Sequence, residues 1–433
     1  MSLASYQWLL VNNMHKIAII LFPGSNCHLE SYRAVKQAGL APEIFRWNDD
    51  YQKLKDFDGY FIVGGFSYED RIRSGAIAGR DPVMSVIKEQ ADLGKPVLGI
   101  CNGAQILVES GLIPGLKSGD LGAGLAWNDH GYLNIWVRIK NEAPAGRSAF
   151  NNFPADHHFA LPIAHGEGRW AVPAEVLAQL QENGQCVFRY CDVAAQVKNE
   201  YPVNPNGTMS NLAGVCNPQG NVLALMPHPE RTADGQVIFE SMRQYLEAGS
   251  QKLETGNKSR LRTQALNVQE KVELKKYKKS DKAYEFLVDL IITDNEAETL
   301  QVALDNLGYP QVKVSRLTHF EVGVDKKSAD LTDELIRSGE LLNTNKEIAY
   351  VDDRVKLKAR AYKILVRYKD DFFGPAKLAT LNNRLSLKSV KSVKQGVVWQ
   401  LECKEDVWQK ILASHILFNP YVQEAQLIAA QDR

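Results

Sequence analysis

The chain has 433 residues, 45% hydrophobic and 24% charged, with Lys+Arg and Asp+Glu both at 51. That length predicts two or three domains, and the composition excludes a chain disordered throughout. A formal net charge of zero gives no pointer to nucleic acid or to an anionic membrane, so neither is expected as a partner.

Six cysteines (Cys27, Cys101, Cys186, Cys191, Cys216 and Cys403) are scattered without a C-x-x-C pair. No structural zinc site is expected and no metal is assigned. Sparse thiols in a large chain fit a reducing compartment. No apolar run reaches the roughly 18 residues of a bilayer span, and the N-terminus lacks a basic region with a cleavage site. A cytoplasmic location is expected. Residues 1–13 precede the first expected strand and read as a tail or as residues ahead of the true start.

From 14 to 250 short β-rich runs alternate with helical stretches. Residues 16–22 (KIAIILF) end at Pro23-Gly24, 60–63 end at Gly64-Gly65, 96–100 end at Cys101, and 222–226 end at Pro227. Near-continuous Val/Ile/Leu runs suit strands covered on both faces, which predicts a layered α/β sheet. Such sheets place their chemistry in the turns after the strands.

Three of those turns carry reactive residues. Gly99-Ile100-Cys101-Asn102-Gly103 is a strand-to-helix elbow, with small residues on both sides of the cysteine where larger ones would clash. The following helix, from Ala104 to Glu109, aims its positive end at the thiol and favours the charged form. A lone cysteine is more often a buried packing residue, and the second constellation is what tips the balance. Pro227-His228-Pro229-Glu230 follows another strand. Its imidazole can serve the thiol as base and its carboxylate can fix the ring. An isolated H-x-E is by itself more often a surface turn. Gly64-Gly65-Phe66 can offer a backbone amide, from Phe66 or Gly65, to an oxyanion, with the Asn102 amide as second donor. Gly-Gly turns are common, and this third signal is weak alone. His157 and His158 receive no role, and Gly122-Ala123-Gly124 follows no convincing strand, so a dinucleotide site is rejected.

Residues 252–282 hold ten Lys/Arg against four Asp/Glu. They read as a solvated basic linker, 251–281, rather than as a docking segment for an acidic partner. Beyond them lies an internal repeat. Ala283-Tyr284-Glu285-Phe286-Leu287-Val288 is echoed by Ala361-Tyr362-Lys363-Ile364-Leu365-Val366 at an offset of 78. Each copy continues into a helix, with Ala297, Leu300, Leu304 and Leu307 on one face of the first and Gly308 as its stop. Leu378, Leu381 and Leu385 are expected to share a face in the second. Alternating strands follow, carrying Phe320, Val322 and Val324 in one copy and Trp399, Leu401 and Cys403 in the other. Both copies close on a similar pattern, Leu342-Asn343 with Tyr350-Val351 and Phe418-Asn419 with Leu427-Ile428. Two small α+β modules in tandem, 282–355 and 358–431, are expected. Neither carries a catalytic cluster.

With these residues assembled, residues 14–250 resemble the class I (triad) glutamine amidotransferases, which have a flavodoxin-like layered α/β sheet. More narrowly they resemble the glutaminase subunits of phosphoribosylformylglycinamidine synthases. The segments FPGSNC (22–27), GGFSYEDRIRSG (64–75), GICNGAQ (99–105), PIAHGEG (162–168), YPVNPNG (201–207) and NVLALMPHPER (221–231) carry that resemblance. Glu69 departs from it, standing where many members have glycine. The two modules resemble, on pattern and size, the small bridging subunit of the same synthase.

The resemblance implies that Cys101 attacks the glutamine side-chain amide, His228 protonates departing ammonia and Glu230 orients His228. Gln105 would help hold the substrate. Ammonia would pass to a large synthetase subunit in de novo purine biosynthesis. No cofactor is expected on this chain, ATP and Mg²⁺ being expected on that partner. The alternatives are a peptidase-like or non-enzymatic member of the same architecture, or an assembly protein with a vestigial triad.

Overall fold

The computed structural model describes residues 14–117, 120–249 and 274–429. The tail 1–13 and residues 251–273 of the expected linker lie outside the described residues. The described residues fall into two compact units on either side of residue 270.

Unit 1 begins with β1 (Lys16–Leu21), α1 (His28–Gln37), β2 (Ala41–Arg46), β3 (Gly59–Ile62), α2 (Pro82–Asp92), β4 (Val97–Ile100) and α3 (Asn102–Glu109). It continues with β5 (Gly124–Trp127), β6 (Leu133–Asn141), β7 (His158–His165), β8 (Glu167–Ala171), α4 (Ala174–Glu182), β9 (Cys186–Cys191), β10 (Leu212–Cys216), β11 (Val222–Leu225) and α5 (Gln236–Ala248). Nine of the strands form one sheet in the order β2-β1-β3-β4-β11-β10-β9-β6-β7. From β2 to β11 the neighbours run parallel; from β11 to β7 they run antiparallel.

Every residue of β3, β4 and β11 is buried, as are Ile17, Ala18, Ile19 and Ile20 in β1. This is why these strands read as unbroken apolar runs: helices shield both faces, so no residue needs to be polar. The turns after β1, β3, β4 and β11 all leave from the carboxyl edge of the parallel strands. FPGSNC, GGFSYED, the Cys101 elbow and PHPE therefore gather along one edge, though up to about 200 residues apart in sequence.

Unit 2 holds β12 (Lys275–Lys276), β13 (Ala283–Leu290), α6 (Asn295–Asn306), β14 (Lys313–Val324), α7 (Ala329–Arg337) and β15 (Glu347–Val351). It then holds β16 (Tyr362–Tyr368), α8 (Phe373–Ala379), β17 (Val390–Glu402), α9 (Glu405–Ala413) and β18 (Gln423–Leu427). They form a seven-stranded sheet in the order β12-β18-β16-β17-β14-β13-β15. Apart from β12, the order reads the same from either end about the long central pair, where Thr318 faces Val397 and His319 faces Gly396. The closing turns match bond for bond. The Asn343 and Asn419 amides donate to Glu347 Oε2 and Gln423 Oε1, and the carbonyls accept from the Glu347 and Gln423 amides.

Three expectations are corrected here. β12 pairs with β18, and the Tyr277 amide donates to the Leu427 carbonyl at 2.8 Å, so the end of the expected linker belongs to the sheet. Leu385 does not share the buried face of Leu381, being 38% exposed. After α8 the chain widens into a π-helical turn, Thr380–Arg384, which rotates the following residue away from the core. Cys403 lies one residue beyond the end of β17, half-buried.

Candidate functional site

Cys101 sits between β4 and α3 with φ 52° and ψ −109°, a left-handed conformation that a side chain adopts only under constraint. The two flanking glycines supply that constraint. A Cβ on Gly103 would lie 1.9 Å from the Ile62 carbonyl of β3, and one on Gly99 would lie 2.5 Å from the Gly103 carbonyl. The elbow can close only where both positions lack a side chain.

His228 follows β11, and its amide donates to the Pro162 carbonyl of β7 at 2.9 Å. Its Nδ1 lies 2.6 Å from Glu230 Oε1, with both side chains essentially inaccessible. Nδ1 is thereby committed to the carboxylate, which leaves Nε2 as the nitrogen available to the thiol. Burial disfavours the charged ring, but the charges of Glu230 and of the Cys101 thiolate outweigh it and push His228 up to about 10. That surrounding favours the imidazolium form. A Cβ on Gly64 would come within 3.0 Å of His228 Cε1 and 3.5 Å of Cys101 Cβ. Glycine there leaves the thiol and the imidazole room to face each other.

The loops after β1 and β3 are interlocked. The Phe66 amide donates to the Gly24 carbonyl at 3.0 Å, and the Asn26 and Cys27 amides donate to the Gly64 carbonyl at 3.2 Å. Of the two amides named for an oxyanion on this loop, that of Phe66 is thus already committed, while Gly65 faces Ser25 in an isolated antiparallel bridge. The Asn102 side chain ties this loop to the elbow. Its Oδ1 accepts from the Ser67 amide at 2.9 Å, and its Nδ2 donates to Gln105 Oε1 at 2.8 Å and Asp70 Oδ1 at 3.2 Å. Gln105 Nε2 in turn donates to the Glu167 carbonyl at 2.6 Å. Tyr68, Glu69 and Asp70 all have positive φ, from 52° to 57°. Glu69 stands where glycine would be free of strain, and its exposed carboxylate pairs with Arg71 at 2.9 Å.

Several neighbours had no role assigned from spacing. Cys27 accepts a hydrogen bond from Arg231 Nη2 at 3.1 Å, and burial pushes its thiol up to about 12. His165 is buried close to His228; burial and the His228 charge drive it down to about 3, so it stays neutral. Its ring lies where a Cβ on Gly168 would be 2.1 Å away, which accounts for the second glycine of PIAHGEG. Burial raises Asp70 to about 7 and Glu167 to about 8, the latter also through the Asp70 charge. The only sequence signal for these residues was their place inside the FPGSNC, GGFSYED and PIAHGEG segments. His157 and His158 lie at the start of β7, outside this cluster.

A buried carboxylate, imidazole and thiol at the carboxyl edge of an α/β sheet define a thiol hydrolase of the triad type. The family profile for the CobB/CobQ-like glutamine amidotransferase domain matches residues 14–258, and the chain belongs to that family. It is 44% identical over 260 residues to the phosphoribosylformylglycinamidine synthase subunit PurQ of Methanothrix thermoacetophila, covering 54% of this chain and 98% of the relative. It is 42% identical to the subunit of that name from Aquifex aeolicus, covering 51% of this chain and 92% of the relative. A chain of the PurLQS structure from Thermotoga maritima aligns with a TM-score of 0.45 at 34% identity, covering 54% of this chain and 99% of that one. Among the described residues no helix is long and apolar enough to cross a membrane.

Proposed function

We propose that this chain is the glutaminase component of a phosphoribosylformylglycinamidine synthase, with Cys101, His228 and Glu230 as its triad. The observation that carries the reading is the buried 2.6 Å contact between Glu230 and His228 beside a cysteine on a glycine-flanked elbow. The Cys101 sulfur attacks the side-chain amide carbon of glutamine, and the carbonyl π electrons move onto oxygen. The amides of Asn102 and of Gly65 (or Phe66, if that loop shifts) steady the oxyanion. As the C–N bond breaks, the His228 imidazolium gives its proton to the nitrogen, and ammonia leaves. Water then adds to the thioester, His228 accepts its proton, and glutamate departs with the thiolate restored. Gln105, bridged between Asn102 and Glu167, lines the substrate's place.

Ammonia passes to a separate synthetase subunit, the partner of this chain in purine biosynthesis. ATP and its Mg²⁺ are assigned to that subunit, because amide hydrolysis by thiolate and imidazole draws on neither. The domain plan adopted is a glutaminase domain over 14–250, a linker, and two modules over 282–355 and 358–431. The modules are read as fused copies of the small bridging subunit, a reading supported by the repeated strand–helix order and the matching asparagine turns. A cytoplasmic location agrees with six cysteines that form no disulfide.

Cys101→Ala should abolish glutamine-dependent synthesis by the reconstituted complex and leave ammonia-dependent synthesis intact. Loss of both activities would make Cys101 a structural residue and overturn the reading.

A further inference from the structure

Cys27 takes no part in that mechanism, yet its sulfur lies within the triad. One donor atom each from Cys27, His228 and Glu230 lies within 4.8 Å of the other two, and all three residues are buried. One buried atom of this group, Glu230 Oε2, has no hydrogen-bond partner. Burying such an atom unsatisfied is costly, so the group is poised to accept something. Gly64 leaves space beside it, since the Cβ it lacks would sit 3.0 Å from both Cys27 Sγ and His228 Cε1. A thiolate, an imidazole and a carboxylate form a donor set suited to zinc, with a water or incoming group completing a tetrahedron.

We propose that Cys27, His228 and Glu230 form an inhibitory site for a divalent cation of the zinc class. The cation enters as the Cys27 thiol and the His228 imidazolium each release a proton to solvent, and three protein–metal bonds form without any redox step. Arg231, now 3.1 Å from Cys27 Sγ, turns toward Glu30, already 3.5 Å from its Nε. With His228 and Glu230 engaged on the metal, the ring can neither protonate departing ammonia nor receive a proton from water. The inhibitory part rests on the glutaminase reading above; the binding part does not. Cys101 is outside the ligand set, which separates this site from general poisoning of a reactive thiol.

The test is a titration of metal-free full-length chain with Zn²⁺ alone, against a chromophoric chelator. One equivalent is expected to bind wild type and Cys101→Ala alike. Cys27→Ser and Glu230→Gln should bind at least about tenfold more weakly, as loss of one of three protein ligands requires. Unchanged binding by Cys27→Ser, or binding lost in Cys101→Ala, would overturn the site. Should Cys27→Ser not fold by circular dichroism, Cys27→Ala takes its place with the same expected result. In the reconstituted complex, Zn²⁺ should stop glutamate release reversibly, with ammonia-dependent synthesis unaffected. Binding as expected in a chain with no glutaminase activity would leave the site standing and remove the functional reading.

Discussion

Glu230 acts on Cys101 only through His228, so its effect can be separated from substrate binding. Its carboxylate fixes Nδ1 at 2.6 Å and helps keep the imidazolium charged. Glu230→Gln keeps the shape but removes the charge, and its amide can donate to the ring as well as accept from it. The tautomer is then no longer fixed, and His228 falls back toward the ordinary histidine range. We expect kcat for glutamine-dependent synthesis to fall by about 10²–10⁴-fold. KM for glutamine should change little, because Gln105 and the elbow amides are untouched. Steady-state kinetics on the complex decides this, and an unchanged kcat would show that Glu230 does not orient the base. Glu69 belongs to the same scale. Its left-handed backbone would be free of strain with glycine at that position, and its carboxylate is exposed and paired with Arg71.

At the scale of elements, the start of β8 is tied to the elbow helix by the bond from Gln105 to the Glu167 carbonyl, and two carboxyl groups lie nearby. Asp70 and Glu167 are raised to about 7 and about 8, chiefly by burial. For groups raised in the folded state, the stabilising contribution is complete below the unfolded values near 4 and is lost as pH climbs through the folded ones. Stability of unit 1 should therefore decline between about pH 5 and pH 8. Glu167→Gln keeps the bulk and never ionises, so its melting temperature should vary less over that window. Parallel melting curves for variant and wild type would show that Glu167 does not titrate there. This scale also marks how far the sequence could be read. The elbow and the H-x-E pair were legible because each is local: two glycines flanking Cys101, and a single proline between His228 and Glu230. Cys27, His165 and Asp70 were not, because only the convergence of strand ends brings them to the triad. Nor could the sequence tell that Gly24 accepts the Phe66 amide, since that bond joins two loops set by tertiary packing. In unit 2 the strands were legible from alternation, whereas Leu385 was misplaced because a π turn breaks helical periodicity without a residue that signals it.

At the scale of the whole molecule, the question is what the repeat in unit 2 contributes. Its two halves share one sheet through the β14–β17 pair, which spans almost the full length of both strands. That pair joins what the domain plan reads as two bridging subunits, so their association costs no separate encounter. On that plan, fusion to the glutaminase domain would make a second contact with the synthetase subunit intramolecular, at an effective concentration set by the length of the tether. Unit 1 has a continuous core of its own, so a chain ending at residue 250 should remain folded. Such a chain should keep its triad geometry but bind the synthetase subunit more weakly, by about 10²-fold if both contacts are made at once. Adding residues 274–433 as a separate polypeptide should restore part of the affinity, because the contacts are present while the tether is not. Affinity measured by calorimetry for the full chain, the truncated chain and the two-piece mixture tests this order. Equal affinities for the full and truncated chains would remove the bridging role from unit 2 and leave the sheet with some function other than assembly.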